Sequence, residues 1–161
     1  MPHDLRENEQ IVQLAPASDG LVRFIGRIRT PWTDRADCPR QERIDGHDCR
    51  IELDPDWQDA PDGLDAYGTV EVLYRMDQSR RDLTHQSPRS DGCTLGTFAL
   101  RSPTRPDLIG TSIMRLPRIE GGVPHVQGLN CGDGTPLIDR KPDRCAFTPN
   151  APEQPGDIQT V

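Results

Sequence analysis

"YGTVEVLYRM", Tyr67 to Met76, alternates its side chains with a period of two. Val70, Val72 and Tyr74 fall on one face, and Thr69, Glu71, Leu73 and Arg75 on the other, as in a strand buried on one side. Its β-branched and aromatic residues suit a pleated backbone. Other short apolar runs follow suit. "LVRFIGRIR", from Leu21, alternates apolar and basic residues around Gly26. A glycine inside such a run marks a bulge or a close backbone approach. "TPW" ends that strand. "CRIEL" (49–53), "CTLGTFAL" (93–100) and "TSIMRLPRI" (111–119) read as further strands. "GGVPHVQGLN" (121–130) continues with Val123 and Val126, and "DGTPLIDRKP" (133–142) reads as a turn and a short strand. Between them, residues 33–47 read as a loop, 54–64 as a turn with one helical turn, and 79–92 as a polar connection. No stretch sustains a 3.6-residue period and no repeat occurs, so the expectation is all-β: a small closed barrel or a closed sandwich, since closure removes exposed edges.

The 161 residues suit one domain, with a flexible polar N-terminal arm (1–19), the barrel (20–145) and an extended, proline-rich tail (146–161). Hydrophobic residues make up 33% and aromatics 4%, so the core is small. Sixteen prolines and fourteen glycines punctuate the apolar runs instead of forming tracts. The first residues, "MPHDLRENEQ", lack the apolar core of a signal peptide. No apolar run is long enough to cross a bilayer, so no membrane role and a cytoplasmic location are expected. Cys38, Cys49, Cys93, Cys131 and Cys145 form no CxxC pair, and His3, His47, His85 and His125 are scattered. Without close ligand pairs a metal site is not expected, and free thiols are.

A net charge of −7 argues against a broad nucleic-acid track, whose affinity comes largely from cations. The basic residues are nearly all arginine, which recognises carboxylate or phosphate through a planar fork. A small anionic ligand held at a few points fits this composition. Three stiff loop segments offer the groups: Pro39-Arg40-Gln41, the stretch "FALRSPTRPDLIG" (98–110) with Arg101 and Arg105, and "DGTP" (133–136). Each has a plainer reading. DG is the usual hairpin turn signal, and surface arginines are commonly just solvated. Prolines flanking Arg101 and Arg105 reduce the entropy lost on binding. No serine–histidine–acid set or phosphate-cradling glycine loop appears, and no catalytic residue is assigned.

The ordered segments "IGRIRTPW…PRQ", "GTFALRSPTRP…IGTS" and "GLN…DGTPLIDRKP" go further. From about Val22 to Lys141 the chain resembles the TsaA-like (YaeB/TrmO, VirR-like) family. The resemblance implies a small β-barrel that binds S-adenosylmethionine, commonly as a homodimer with ligand near the subunit interface. Characterised members methylate N6 of threonylcarbamoyladenosine beside the anticodon of threonine tRNAs. It also implies cofactor contacts at Pro39, Arg40, Gln41, Asp77, Gln78, Arg101, Thr111, Leu129, Asn130, Cys131 and Gly132. Substrate contacts fall at Arg105, Asp133, Thr135 and Lys141, with Arg105 equally able to brace its loop or the dimer. Arg40 and Arg101 would divide the carboxylates of cofactor and substrate between them.

The chain departs from the family pattern at several of these points. Where relatives commonly read "RPNPIG" it has Asp107 and Leu108, and Asp77 replaces a histidine. Where they read "LDxLDGTPxxDIKP" it has Asn130, Gly132 and Arg140. Longer bacterial relatives carry a C-terminal domain that engages tRNA. The absence of such a domain here, with the charge of −7, weakens the expectation of a tRNA partner. The alternative to a methyltransferase is a protein that binds S-adenosylmethionine or a nucleoside without catalysis, or a homologue with another acceptor.

Overall fold

The computed structural model describes residues 4–13, 20–40, 43 and 45–143. Its strands are β1 (Gln10–Ile11), β2 (Gly26–Arg29), β3 (Asp48–Leu53), β4 (Thr69–Arg75), β5 (Leu83–Gln86), β6 (Leu95–Gly96), β7 (Ile109–Glu120), β8 (Val123–Gln127) and β9 (Thr135–Pro142). Short 3₁₀ turns are the helical structure among the described residues, and no helix there is long and apolar enough to cross a membrane. The described residues divide into two compact units: 22–75 with 111–143, and 4–13, 20–21 with 76–110. The second lies within the span that the sequence reading treats as one barrel domain.

The first unit is the closed barrel, in the order β2-β3-β8-β7-β4-β9. β4 behaves as its pattern predicts: Val70, Val72 and Tyr74 are buried while the residues between them are half-exposed. Ile28, Ile51, Val126 and Leu137 complete a dry interior, each contributing about 1.5–3 kcal/mol. Gly26 fulfils the close-approach reading. It pairs with Leu53, and a Cβ there would collide with the Glu52 carbonyl. The strand around it is shorter than expected, beginning only at Gly26. A register shift between Leu73 and Tyr74 marks a bulge against β9.

The second unit holds the sheet β1-β5-β6 and corrects three expectations. Leu83–Gln86, inside the polar connection, is a strand. The run 93–100 is mostly not one: only Leu95–Gly96 pairs, and Thr97–Ala99 turns into a 3₁₀ helix. The arm is partly anchored, because Gln10 and Ile11 pair with His85 and Leu83. The common cause is a polar interior. Glu9, Gln86, Ser87, Thr97 and Thr104 are all buried here, so hydrophobic periodicity carries no signal. Side chains close the unit instead. Gln86 donates from Nε2 to Thr97 Oγ1 and the Thr104 carbonyl, both at 2.9 Å. Thr97 in turn donates to the Leu83 carbonyl at 2.6 Å. Glu9 accepts from the Ser87 and Arg6 amides at 3.0 Å each.

Candidate functional site

In the barrel unit the loop from Gly128 to Gly134 is fastened along its whole length. Gly128, at φ 88°, donates to the His47 carbonyl and accepts from the Arg43 amide, and a Cβ there would strike the Arg43 carbonyl. Only glycine fits that approach. Trp32 Nε1 donates to the Leu129 carbonyl at 3.4 Å and Thr30 Oγ1 to the Cys131 carbonyl at 2.9 Å. Asp133 donates its amide to the Trp32 carbonyl at 2.7 Å and accepts from the Thr30 amide at 3.1 Å. Trp32 itself stands edge-on to His47, 5.0 Å between ring centres.

Side chains hold the loop from inside as well. The buried Tyr74 hydroxyl lies 2.9 Å from Ser112 Oγ and donates to Asn130 Oδ1 at 3.5 Å. With its amide oxygen accepting from Tyr74, Asn130 keeps an NH₂ that can donate, where a carboxylate would offer only acceptors. Thr111, next to Ser112 on β7, donates to Glu71 at 2.8 Å. The barrel unit thus brings Leu129, Asn130, Cys131, Gly132 and Asp133 together as one fixed edge.

Several predicted site residues are engaged in structure. Thr135 donates to the Gly132 carbonyl at 2.7 Å, Asp133 lies 3.6 Å from Arg29, and Lys141 pairs with Asp139. "DGTP" therefore serves as a tight turn leading into β9, with Gly134 at φ 78°; it is not a hairpin, since β9 pairs with β2 and β4 and not with the preceding β8. Pro39 is half-buried and Arg40 exposed; Gln41 lies outside the described residues. Burial pushes the Cys131 thiol up to about 12 and the Cys49 thiol to about 11. Neither supplies a thiolate nucleophile near neutrality.

In the second unit Asp77 and Gln78 are exposed in a turn closed by Ser79 donating to the Met76 carbonyl. Arg101 is exposed. Arg105 is a brace, donating from Nη1 to the Leu100 carbonyl at 2.6 Å. Leu108 is buried at φ 55°, a backbone conformation closed to proline, whose ring holds φ near about −65°. Leucine is therefore compatible with this turn where the proline of the family pattern would not be.

Arg140 is the unusual barrel residue. It stands opposite Val72, sharing that buried strand's inner face, and its Nη1 is buried without a partner among the described residues. Burial pushes its pKa down. Beside the Gly128–Gly134 loop a groove of about 680 Å³ reaches from Thr30 and Asp133 across Arg29, Arg50, Arg118, Asp48, Glu52 and His125, three arginines against three carboxylates. Its charges pair with one another: Arg29 with Glu52 at 2.8 Å, Arg118 with Asp48 at 3.0 Å. That balance leaves no net attraction for a small ion.

Sequence reading missed Thr30, Trp32, Tyr74 and Ser112 as supports. "TPW" was legible only as a strand end and Tyr74 only as core; their polar tips meet the loop through long-range closure, which spacing does not encode.

The model of the tRNA-methyltransferase O N-terminal domain matches residues 27–147. The chain is 46% identical over 148 residues to the probable S-adenosyl-L-methionine-binding protein VirR of Rhizobium radiobacter, covering 92% of this chain and 85% of that one. It is 29% identical to the mouse tRNA (adenine(37)-N6)-methyltransferase, over 78% of this chain and 31% of the mouse protein. The crystal structure of TrmO from Pseudomonas aeruginosa superposes with a TM-score of 0.66 at 30% identity, over 86% of this chain and 65% of that one. The chain thus spans just under two thirds of that solved protein.

Proposed function

Because the chain belongs to the tRNA-methyltransferase O N-terminal domain family, we propose that it transfers the methyl group of S-adenosylmethionine to N6 of adenine in tRNA, beside the anticodon. The observation that carries this reading is the Leu129–Asp133 edge, fastened to Thr30, Trp32 and Tyr74 at the positions where the resemblance places cofactor contacts. The donor set fits such a cofactor: an oriented Asn130 amide for polar ligand atoms, buried Leu129 beside it, and an exposed guanidinium at Arg40 for a carboxylate.

When bound, S-adenosylmethionine supplies an activated methyl group on a sulfonium. The protein's task is then alignment, worth many orders of magnitude when reacting atoms are held in line. A fixed loop provides it without reorganisation at the moment of reaction. No strong base is required if the acceptor is threonylcarbamoyladenosine, whose acyl group draws electrons from N6 and eases loss of its proton.

A titration with S-adenosylmethionine and an assay with tRNA from cells lacking the protein test the reading together. The expected results are a rise in Tm with ligand, as binding to the native state alone requires, and labelled methyl on N6 of adenine. No rise in Tm overturns the reading. Stabilisation without transfer favours a binding protein, in keeping with the name of the Rhizobium radiobacter relative.

A further inference from the structure

Phe98 is 79% exposed, the most open aromatic ring among the described residues. Leaving a phenylalanine in water forfeits about 1.5–3 kcal/mol that burial would return. The ring is nevertheless held with care. It sits in the 3₁₀ turn Thr97–Ala99, whose first residue is buried and doubly bonded to Gln86 and Leu83. Arg105 reaches back across the turn to the carbonyls of Leu100 at 2.6 Å and Thr97 at 3.4 Å. Its guanidinium carbon thereby lies over the Phe98 ring, 5.7 Å from the centroid. One face is braced by a cation, and the ring stays largely open despite it.

The flanking sequence between Asp91 and Asp107 is equally one-sided. From Cys93 to Pro106 the chain carries no carboxylate, although it holds 26 acidic residues in all. Within the same stretch stand Arg101, exposed, and Arg105. A rigid π-face beside guanidinium groups, on a stretch of chain without carboxylates, matches an unpaired nucleobase together with its phosphate. We infer that Phe98, backed by Arg105, is a stacking platform for an unpaired base of the RNA substrate, with Arg101 and Arg105 drawing the adjoining phosphate. This rests on the reading of the chain as a tRNA-acting protein and adds the surface that would meet the RNA.

The test is a fluorescence-anisotropy titration with bulk tRNA and with a labelled single-stranded oligoribonucleotide, using wild type, Phe98→Ala, Phe98→Trp and Arg105→Gln. Thermal unfolding and sedimentation are run on each. Phe98→Ala is expected to weaken both RNAs about 5- to 100-fold at unchanged Tm, since one base–aromatic stack is worth about 1–3 kcal/mol. Phe98→Trp restores binding. Arg105→Gln lowers the slope of log affinity against log salt by about one, whereas Phe98→Ala leaves that slope alone. Wild-type affinity in Phe98→Ala, or no RNA binding by the wild type, overturns the inference. So does a loss that tracks dissociation of a dimer, which would assign the ring to a second copy. Phe98-dependent RNA binding without methyl transfer would sustain the platform while removing the proposed reaction.

Discussion

The two units of this chain are stabilised by opposite means. The barrel buries Ile28, Ile51, Val70, Val72, Tyr74, Val126 and Leu137, and strands of four to eight residues carry them in register. The unit containing residues 76–110 buries three leucines, Leu83, Leu100 and Leu108, beside five polar residues. Its strands run to only two or four residues. Hydrophobic burial is non-directional and scales with area, so the barrel tolerates small errors of shape. A buried hydrogen-bond network is all-or-nothing: each member left without its partner costs the full desolvation of a polar group.

The largest contrast should come from Gln86→Leu. Leucine keeps most of the volume but strips donors from Thr97 Oγ1 and the Thr104 carbonyl, both buried. A loss of about 1–3 kcal/mol is expected in urea unfolding, with faster amide exchange concentrated in residues 83–104. An unchanged midpoint would show that apolar burial, and not the polar network, stabilises this unit after all.

The next effect belongs to the barrel and to high pH. Cys49 and Cys131 are buried barrel thiols with pKa raised to about 11 and about 12, whereas Cys93 in the second unit is exposed. An unfolded thiol ionises near about 8.5–9 while these two stay protonated in the fold, so above that pH the native state binds more protons. Stability is therefore level below about pH 8.5 and falls as pH rises toward the folded values. The slope approaches about 1.4 kcal/mol per pH unit for each thiol. Cys131→Ala should flatten that limb by about half, and an iodoacetamide pulse at pH 8 should label Cys93 well before Cys131.

How much of this could be read beforehand follows the same division. β4 was legible because its inner and outer faces differ in polarity residue by residue, and Gly26 because a glycine within a strand has few other uses. The Gly128–Gly134 loop was legible by resemblance, but Thr30, Trp32 and Tyr74, which fasten it, were not. β5 was hidden because Thr84, His85 and Gln86 read as solvent-facing, although Gln86 is among the buried residues. Period-two patterning reports hydrophobic burial only. Where polar groups are buried and satisfied by partners distant in sequence, local pattern points the wrong way.

Arg140→Ile makes the same kind of exchange as Gln86→Leu, polar for apolar, and should carry the opposite sign. Gln86 is buried with its donors used; Arg140 presents a buried Nη1 with none, on the inner face beside Val72. Removing a half-buried guanidinium with one buried, unpartnered nitrogen recovers part of its desolvation cost, and a β-branched side chain fits a strand position facing valine. Loss of the long aliphatic stem offsets part of that gain, so the net expectation is about 1 kcal/mol of stabilisation, read as a modest rise in the urea midpoint at constant m. Because burial already holds the Arg140 pKa down, the gain should persist in high salt, which screens exposed ion pairs but reaches buried groups poorly. A loss of stability of comparable size would show that the Arg140 guanidinium contributes a favourable interaction, and the barrel interior would then share the polar logic of the second unit.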